Sequence, residues 1–233
     1  MSAATPTEQK KSGGLLGNLI FNIVLPVLIL SKFSTNDYLG PVWGLVIALC
    51  FPVGFGLYEL YKSGKVNFFS VVGIISVLLT GGMSLLQLDP KYIAIKEAAV
   101  PGVIGVLVLF SQQTKFHLIK SMLLNAQLLN FDKLNAALEK KQTTAQFEEK
   151  LNTTNQLLAG SFFLSSILNY LLAKWVLVSA PGTAAYNEEL GRMTALSYPV
   201  IVLPMMVLMM AAMWYLFSQI GRLTGEDVEQ FLQ

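Results

Sequence analysis

Charge is what this sequence has least of. Asp, Glu, Lys and Arg make up 13% of its 233 residues, about half the roughly 25% share of an ordinary soluble domain. A water-soluble globule of usual design is therefore excluded. Disorder is excluded too, because it needs low hydrophobicity and high charge, and 54% of this chain is hydrophobic. Cysteine and histidine are each present once, as Cys50 and His117. One cysteine allows no intramolecular disulfide and no cysteine-based metal site, and one histidine excludes a His-rich zinc site. No His-Glu-x-x-His, Gly-x-Ser-x-Gly or phosphate-loop motif occurs. Gly13-Gly14-Leu15-Leu16-Gly17 lacks the preceding strand of a nucleotide site. These absences point away from an enzyme and from any bound cofactor or metal.

What is present is apolar sequence in blocks of about 20 residues, the length that crosses a bilayer. Six spans are expected, at 15–30, 41–60, 66–88, 92–111, 157–178 and 196–220. Unsatisfied backbone amides are too costly in hydrocarbon for open structures, and barrel strands would be half this length with strict alternation. The expected fold is therefore all-α: a polytopic membrane protein with six transmembrane helices. The N-terminal apolar run has no small-x-small cleavage pattern after it and reads as an uncleaved first span.

Basic residues in the connections set the expected orientation. The N-terminal tail, the turn after span two, the stretch after span four and the C-terminal tail hold 11 of the 16 Lys and Arg residues. Both termini are therefore expected in the cytoplasm, and Trp43 and Trp175 at the outer ends of spans two and five. The organisation reads as a cytoplasmic tail (1–14), a four-helix transmembrane region (15–112), a cytoplasmic amphipathic linker (113–156), a two-helix transmembrane region (157–222) and a cytoplasmic tail (223–233). Within the linker, Phe116, Ile119, Leu123 and Ala126, then Phe131, Leu134 and Leu138, recur at helical spacing with a break near Asn130. Such a helix either lies on the anionic leaflet or packs on the helix ends. Residues 140–150 read as solvated, with Phe147 their lone large apolar residue, and the fifth helix is expected to start near Ala145.

Lys96 and Glu97 are the charged exceptions inside a span. Charge there is costly and ordinarily faces protein or water. Neighbouring helical residues point about 100° apart, so the two are not expected to pair with each other. Lys96 can snorkel to the outer interface, and Glu97 reads either as a proton- or ion-coupling carboxylate beside a cavity or as the partner of Lys174 or Arg192 in a salt bridge. Asn18 and Asn22 share a face of span one, and Ser161, Ser165 and Asn169 a face of span five. Each row either glues helices together or lines a polar path. Lys96, Glu97, Asn18, Asn22, Ser165 and Asn169 are the candidate path residues. Gly40, Gly44 and Ala48 form a small-residue row for close helix packing. The methionines from Met205 to Met213 read as flexible packing rather than a Cu(I) site. Glu188, Glu189 and Arg192 read as a solvated outer loop. The segregated, mixed charge argues against a nucleic-acid surface, and no nucleic-acid partner is expected. The expected partners are the lipid bilayer, a small solute or ion, and either a second copy or an envelope protein.

A resemblance extends the reading over residues 18–115. Gly81-Gly82-Met83-Ser84-Leu85 and Tyr92-Ile93-Ala94-Ile95-Lys96 resemble the Gly-Gly-x-x-Leu and aromatic-Ile-x-x-Lys pattern of the intracellular septation protein A family. Those are bacterial multi-span inner-membrane proteins linked to envelope maintenance and division. Glu97-Ala98 stands where that family has Pro-Thr. With Gly40-Pro41-Val42-Trp43-Gly44-Leu45, the chain is more similar to a related, largely uncharacterised bacterial family of six-span inner-membrane proteins, some labelled transporter-like. The resemblance implies a bacterial inner-membrane location. It leaves two functions open, a small-solute or ion transporter and a non-transporting envelope or cell-division interaction protein.

Overall fold

The computed structural model describes residues 17–63, 68–111 and 129–232. The helices among them are α1 (Gly17–Phe33), α2 (Gly40–Ser63), α3 (Phe68–Leu85), α4 (Pro90–Ser111), α5 (Phe131–Lys141), α6 (Thr144–Val176), α7 (Ala184–Ser197) and α8 (Leu203–Thr224). A π-helical turn, Tyr198–Val202, joins the last two, and a single 3-10 turn, Val228–Phe231, follows. Among the described residues no strand forms; one isolated bridge pairs Leu129 with Leu232. Four stretches are long and apolar enough to cross a membrane: Gly40–Lys62, Pro90–Ser111, Thr144–Val176 and Ala184–Thr224. Gly17–Phe33 and Val71–Leu85 are apolar but shorter. Large apolar side chains such as Leu57, Leu78, Val103, Leu171, Met210 and Trp214 are exposed along these helices, a surface that hydrocarbon stabilises and water does not.

The chain divides into two compact units, Met1–Ile93 with Ala173–Ala195, and Ala94–Leu172 with Leu196–Gln233. In the first, α1 and α3 both pack on α2. Proline shapes α1. Pro26 has no N–H to give to the carbonyl four residues back, and π-helical turns flank it at Ile20–Val24 and Ile29–Phe33. The widened turns let N–H groups reach five residues back, as Leu25 does to Ile20. Ring contacts of Phe21 with Phe51 and Phe55, at 6.3 and 5.6 Å between centroids, join α1 to α2.

The small-residue row of α2 serves two purposes. Gly44 lies where a Cβ would stand 2.9 Å from the Cα and Cβ of Ser34, and Ala48 is fully buried. Gly40 differs: nothing lies within 4 Å of its missing Cβ, and its φ is +72°. It is there to start the helix in a left-handed conformation, not to admit a neighbour. On α3, Gly81 accommodates Leu49, whose Cδ1 would lie 2.5 Å from an added Cβ. Asp89 caps the start of α4 by accepting the Lys91 amide at 2.9 Å, with Pro90 at the first helical position, where its missing N–H costs nothing. That amide holds the exposed Asp89 carboxyl below the usual carboxylate range; slight desolvation opposes it, and the Lys91 ammonium adds to it.

In the second unit, α4 and α6 share a small apolar core of Val108, Leu158 and Ala159, with Ile104, Phe162 and Phe163 against it. Gly105 permits this approach, since a Cβ there would lie 3.2 Å from the Phe162 Cβ. A larger core joins Leu134 and Leu138 of α5, Phe147 and Leu151 of α6, Leu216 and Ile220 of α8, and Phe231. Asn130 caps α5 by accepting the Lys133 amide at 3.1 Å, which places the expected break at a real helix start. The Phe116–Ala126 part of the expected amphipathic helix lies outside the described residues. The described part packs on helix ends. Its helix stops at Gln142, which takes a left-handed conformation with φ +57°, and α6 starts at Thr144, one residue from expectation. At 33 residues, α6 runs about 50 Å, roughly 20 Å more than the hydrocarbon thickness. Its first turns supply Phe147 and Leu151 to the core. The solvated reading of 140–150 is thus corrected at Phe147, which is 2% exposed. One apolar residue among polar ones shows no periodicity, yet it faces α5 and α8.

Candidate functional site

The site is built from the residues of α4 between Ile95 and Ser111 and the face of α6 beside them. Lys96 Nζ and Glu97 Oε1 form an ion pair of 2.6 Å, with the side chains 8% and 26% exposed. This overturns the expectation that helical neighbours do not pair. Their Cβ atoms do diverge, but lysine has a four-carbon arm that can bend its ammonium toward the carboxylate. With little water to compete, that contact outweighs the cost of bending. Pro101 adds to the polarity here. It has no N–H to give to the carbonyl four residues back, so the Glu97 backbone oxygen loses its ordinary helical donor.

One residue on, Ser166 Oγ of α6 donates to the Ala98 carbonyl at 2.7 Å. Gly102 keeps the helices close at this level; a Cβ there would lie 3.2 Å from Ser166 Oγ. An open groove of about 480 Å³ follows, lined by Ala98, Ala99, Gly102, Val106, Ser166 and Tyr170 among others. Its lining is overwhelmingly apolar, so it suits hydrocarbon better than a hydrated solute. Near the end of α4, Asn155 Nδ2 donates to the Val108 carbonyl at 2.8 Å and to Ser111 Oγ at 3.3 Å. The Val108 carbonyl also accepts from Ser111 Oγ at 2.7 Å, so Asn155 ties α6 to a carbonyl and a hydroxyl of α4. Its own Oδ1 is buried and has no hydrogen-bond partner among the described residues.

The other sequence-predicted polar residues satisfy themselves locally. Asn169 Nδ2 donates to Ser165 O at 2.8 Å and to Ser165 Oγ at 3.3 Å. Ser161 Oγ donates to the Leu158 carbonyl at 2.7 Å. Asn22 Nδ2 donates to Asn18 Oδ1 at 2.8 Å on an exposed face of α1. Lys96, Glu97, Ser165 and Asn169 fall in one unit, and Asn18 and Asn22 in the other.

Sequence reasoning missed a polar cluster in the first unit. The segment read as a solvated loop is helix α7, and one face of it is buried. Tyr186 and Asn187 are 0% and 1% exposed. The Tyr186 hydroxyl lies 3.3 Å from Ser84 Oγ, and Asn187 Nδ2 donates to the Pro41 carbonyl at 2.6 Å. Glu189 accepts from the Val178 and Ser179 amides, both at 2.9 Å, and from Ser179 Oγ at 2.6 Å. These amides follow the end of α6 and have no helical partner there, so the carboxylate closes the connection. The only available signal was the spacing of Tyr186, Leu190 and Met193, which share a helical face. Glu189→Ala is expected to destabilise the protein by about 1–2 kcal/mol, the worth of hydrogen bonds to a partly exposed charge. Hydrogen exchange should show the Val178 and Ser179 amides losing protection; unchanged protection would refute the clamp.

Among the described residues no group of three His, Cys, Asp or Glu side chains is placed to hold a metal ion. No protein-family model, curated protein or solved structure matches the chain.

Proposed function

We propose that the chain is a bacterial inner-membrane protein that moves a small solute or ion across the bilayer, with the Lys96–Glu97 pair as its charged element. The observation that carries this reading is that pair: an ammonium 8% exposed, held 2.6 Å from a carboxylate within an otherwise apolar helix. Paired intramembrane charge commonly marks an ion or proton path. A carboxylate beside an ammonium can exchange its partner for a cation or take a proton. Either event changes the charge of the site without leaving both groups bare. In this reading Ser165 and Asn169 of α6 lie on the same path.

The proposal includes six spans, with α1 and α3 completing the four longer ones, and both termini in the cytoplasm. The distribution of Lys and Arg supports that orientation. So does the resemblance to six-span bacterial inner-membrane families over residues 18–115. Reporter fusions at residue 140 should read cytoplasmic and fusions at residue 187 periplasmic; the reverse pattern overturns the orientation. For function, purified protein in proteoliposomes should show pH-dependent solute or ion flux that Glu97→Gln abolishes. Flux that survives Glu97→Gln would remove the pair from the mechanism.

A second reading, a non-transporting envelope or cell-division interaction protein, is favoured by a different observation. Helix α5 is folded onto the ends of α6 and α8 with an outer face of Asp132, Lys133, Asn135, Glu139 and Lys140 exposed. Such a face can hold a partner. Intact flux-independent function in Glu97→Gln, lost on disrupting α5, would select this reading.

A further inference from the structure

The groove between α4 and α6 has unlike ends. The two helices run antiparallel, since Ser166 meets Ala98 and Asn155 meets Val108. Tyr170, one turn beyond Ser166, therefore stands at the Ile95 end. The two lining residues that carry a hydroxyl, Ser166 and Tyr170, both lie toward that end, whereas Val106 and Leu107 form the other. The ion pair belongs to the hydroxyl end. Lys96 follows Ile95 and shares a helical face with the lining residues Ala99 and Val103, three and seven positions on. Small side chains at Ala98, Ala99 and Gly102 hollow the middle. Ile95, Val103 and Leu107 are each more than half exposed, so the groove is continuous with the lipid-facing surface of its helices. From Ile95 to Leu107 the helix rises about 18 Å. A volume of about 480 Å³ over that length leaves a channel about 5 Å across, the width of one hydrocarbon chain.

We propose that the groove and the Lys96–Glu97 pair form one site for a long-chain fatty acid, its chain in the groove and its carboxylate at Lys96. As the identity of the moved solute this rests on the transport reading; as a binding site it does not. The occupant follows from complementarity. An apolar channel one chain wide takes a hydrocarbon tail and rejects a hydrated ion, whose water it cannot replace. A buried ammonium needs an anion beside it, and a fatty-acid carboxylate is the same group that Glu97 offers. Exchanging one for the other leaves no bare charge at Lys96. Glu97, 26% exposed against 8% for Lys96, is the partner that water can receive. A phospholipid carries two chains, more than the channel admits. A long-chain alcohol has the tail but no charge to give Lys96, so the head is what separates the ligand from the rest of the bilayer.

The test uses the full-length chain in phosphatidylcholine proteoliposomes and palmitate carrying a photoreactive diazirine near the end of its chain. After illumination, peptide mass spectrometry should find the label on the residues of α4 and α6 that line the groove. Unlabelled palmitate should compete at least about tenfold better than hexadecanol, the worth of a hydrogen-bonded charge, and phosphatidylglycerol should compete no better than hexadecanol. Ala99→Phe, which fills the channel, should lower the labelling at least about tenfold, the worth of two methylene contacts. Ala211→Phe adds the same bulk at an exposed position of α8 and should leave the labelling unchanged. If Ala99→Phe does not fold, Val106→Phe replaces it. Label spread evenly over the lipid-facing helices, equal competition by hexadecanol, or labelling that ignores the filled channel overturns the proposal. Labelling needs no flux, so the two readings fail separately. Specific labelling without transport would overturn the transport reading and keep the site; flux of a hydrophilic solute without specific labelling would overturn the site and keep that reading.

Discussion

Phe147→Ala should destabilise the α5–α6–α8 core by about 3–5 kcal/mol, the cost of deleting a buried phenylalanine side chain where the surroundings relax only partly. The residue is 2% exposed and packs in one cluster with Leu134, Leu138, Leu151, Leu216, Ile220 and Phe231. These come from α5, α6, α8 and the tail, so one cavity weakens four segments together. Thermal unfolding of the purified protein in detergent measures the loss, and limited proteolysis should cut first between Leu129 and Thr144. Asn135→Ala, on the exposed face of α5, is the control, expected to change stability by no more than about 0.5 kcal/mol. Equal effects from the two substitutions would show that α5 is not held by this core.

The second large effect belongs to the charged pair, and a double-substitution cycle isolates it. Glu97→Leu leaves the Lys96 ammonium, 8% exposed, without its carboxylate, and should cost about 3 kcal/mol, at the lower end for breaking a buried ion pair. Lys96→Leu should cost less, because Glu97 is 26% exposed and solvent can reach it. The double substitution should return close to the original stability. Two apolar side chains need no partner, and the desolvation cost of both charges disappears with them. The cycle should therefore show strong coupling between the two sites. Additive costs would mean that each charge is stabilised by something other than its neighbour. The proposed transport role makes a separate prediction: the double-leucine protein should fold well and yet carry no pH-dependent flux.

How much of this was legible beforehand depended on distance along the chain. The break near Asn130 and the start of the next helix near Ala145 are local events, set by side chains and the amides within a turn of them, and the helices begin at Phe131 and Thr144. They were readable to within a residue. The pairing of Lys96 with Glu97 was also local, yet it was misread. Backbone geometry fixes where a Cβ points, but not where a four-carbon arm ends once water is scarce. Asn155 reaching Val108, Asn187 reaching Pro41 and Thr143 reaching Leu223 join residues 47, 146 and 80 positions apart. No periodicity records such pairs. The burial of Phe147 and the capture of the α6 exit by Glu189 were missed for the same reason. Each residue looked solvated among polar neighbours, and only a second helix decided otherwise.

By itself, then, the sequence determined that the chain is helical and apolar enough for a bilayer. With so little charge, and with apolar blocks twice the length of barrel strands, helices are the structure that satisfies the backbone in hydrocarbon. It also determined where charge is scarce enough to matter, at Lys96 and Glu97. Tertiary structure alone decided which distant side chains meet: Asn155 with Val108, the buried face of α7, and Phe231 with the α5–α6–α8 core. Hydropathy is a sum over neighbouring residues and survives any arrangement of the helices. A hydrogen bond or a packed ring depends on which helix stands opposite, and that is set only when the chain has folded.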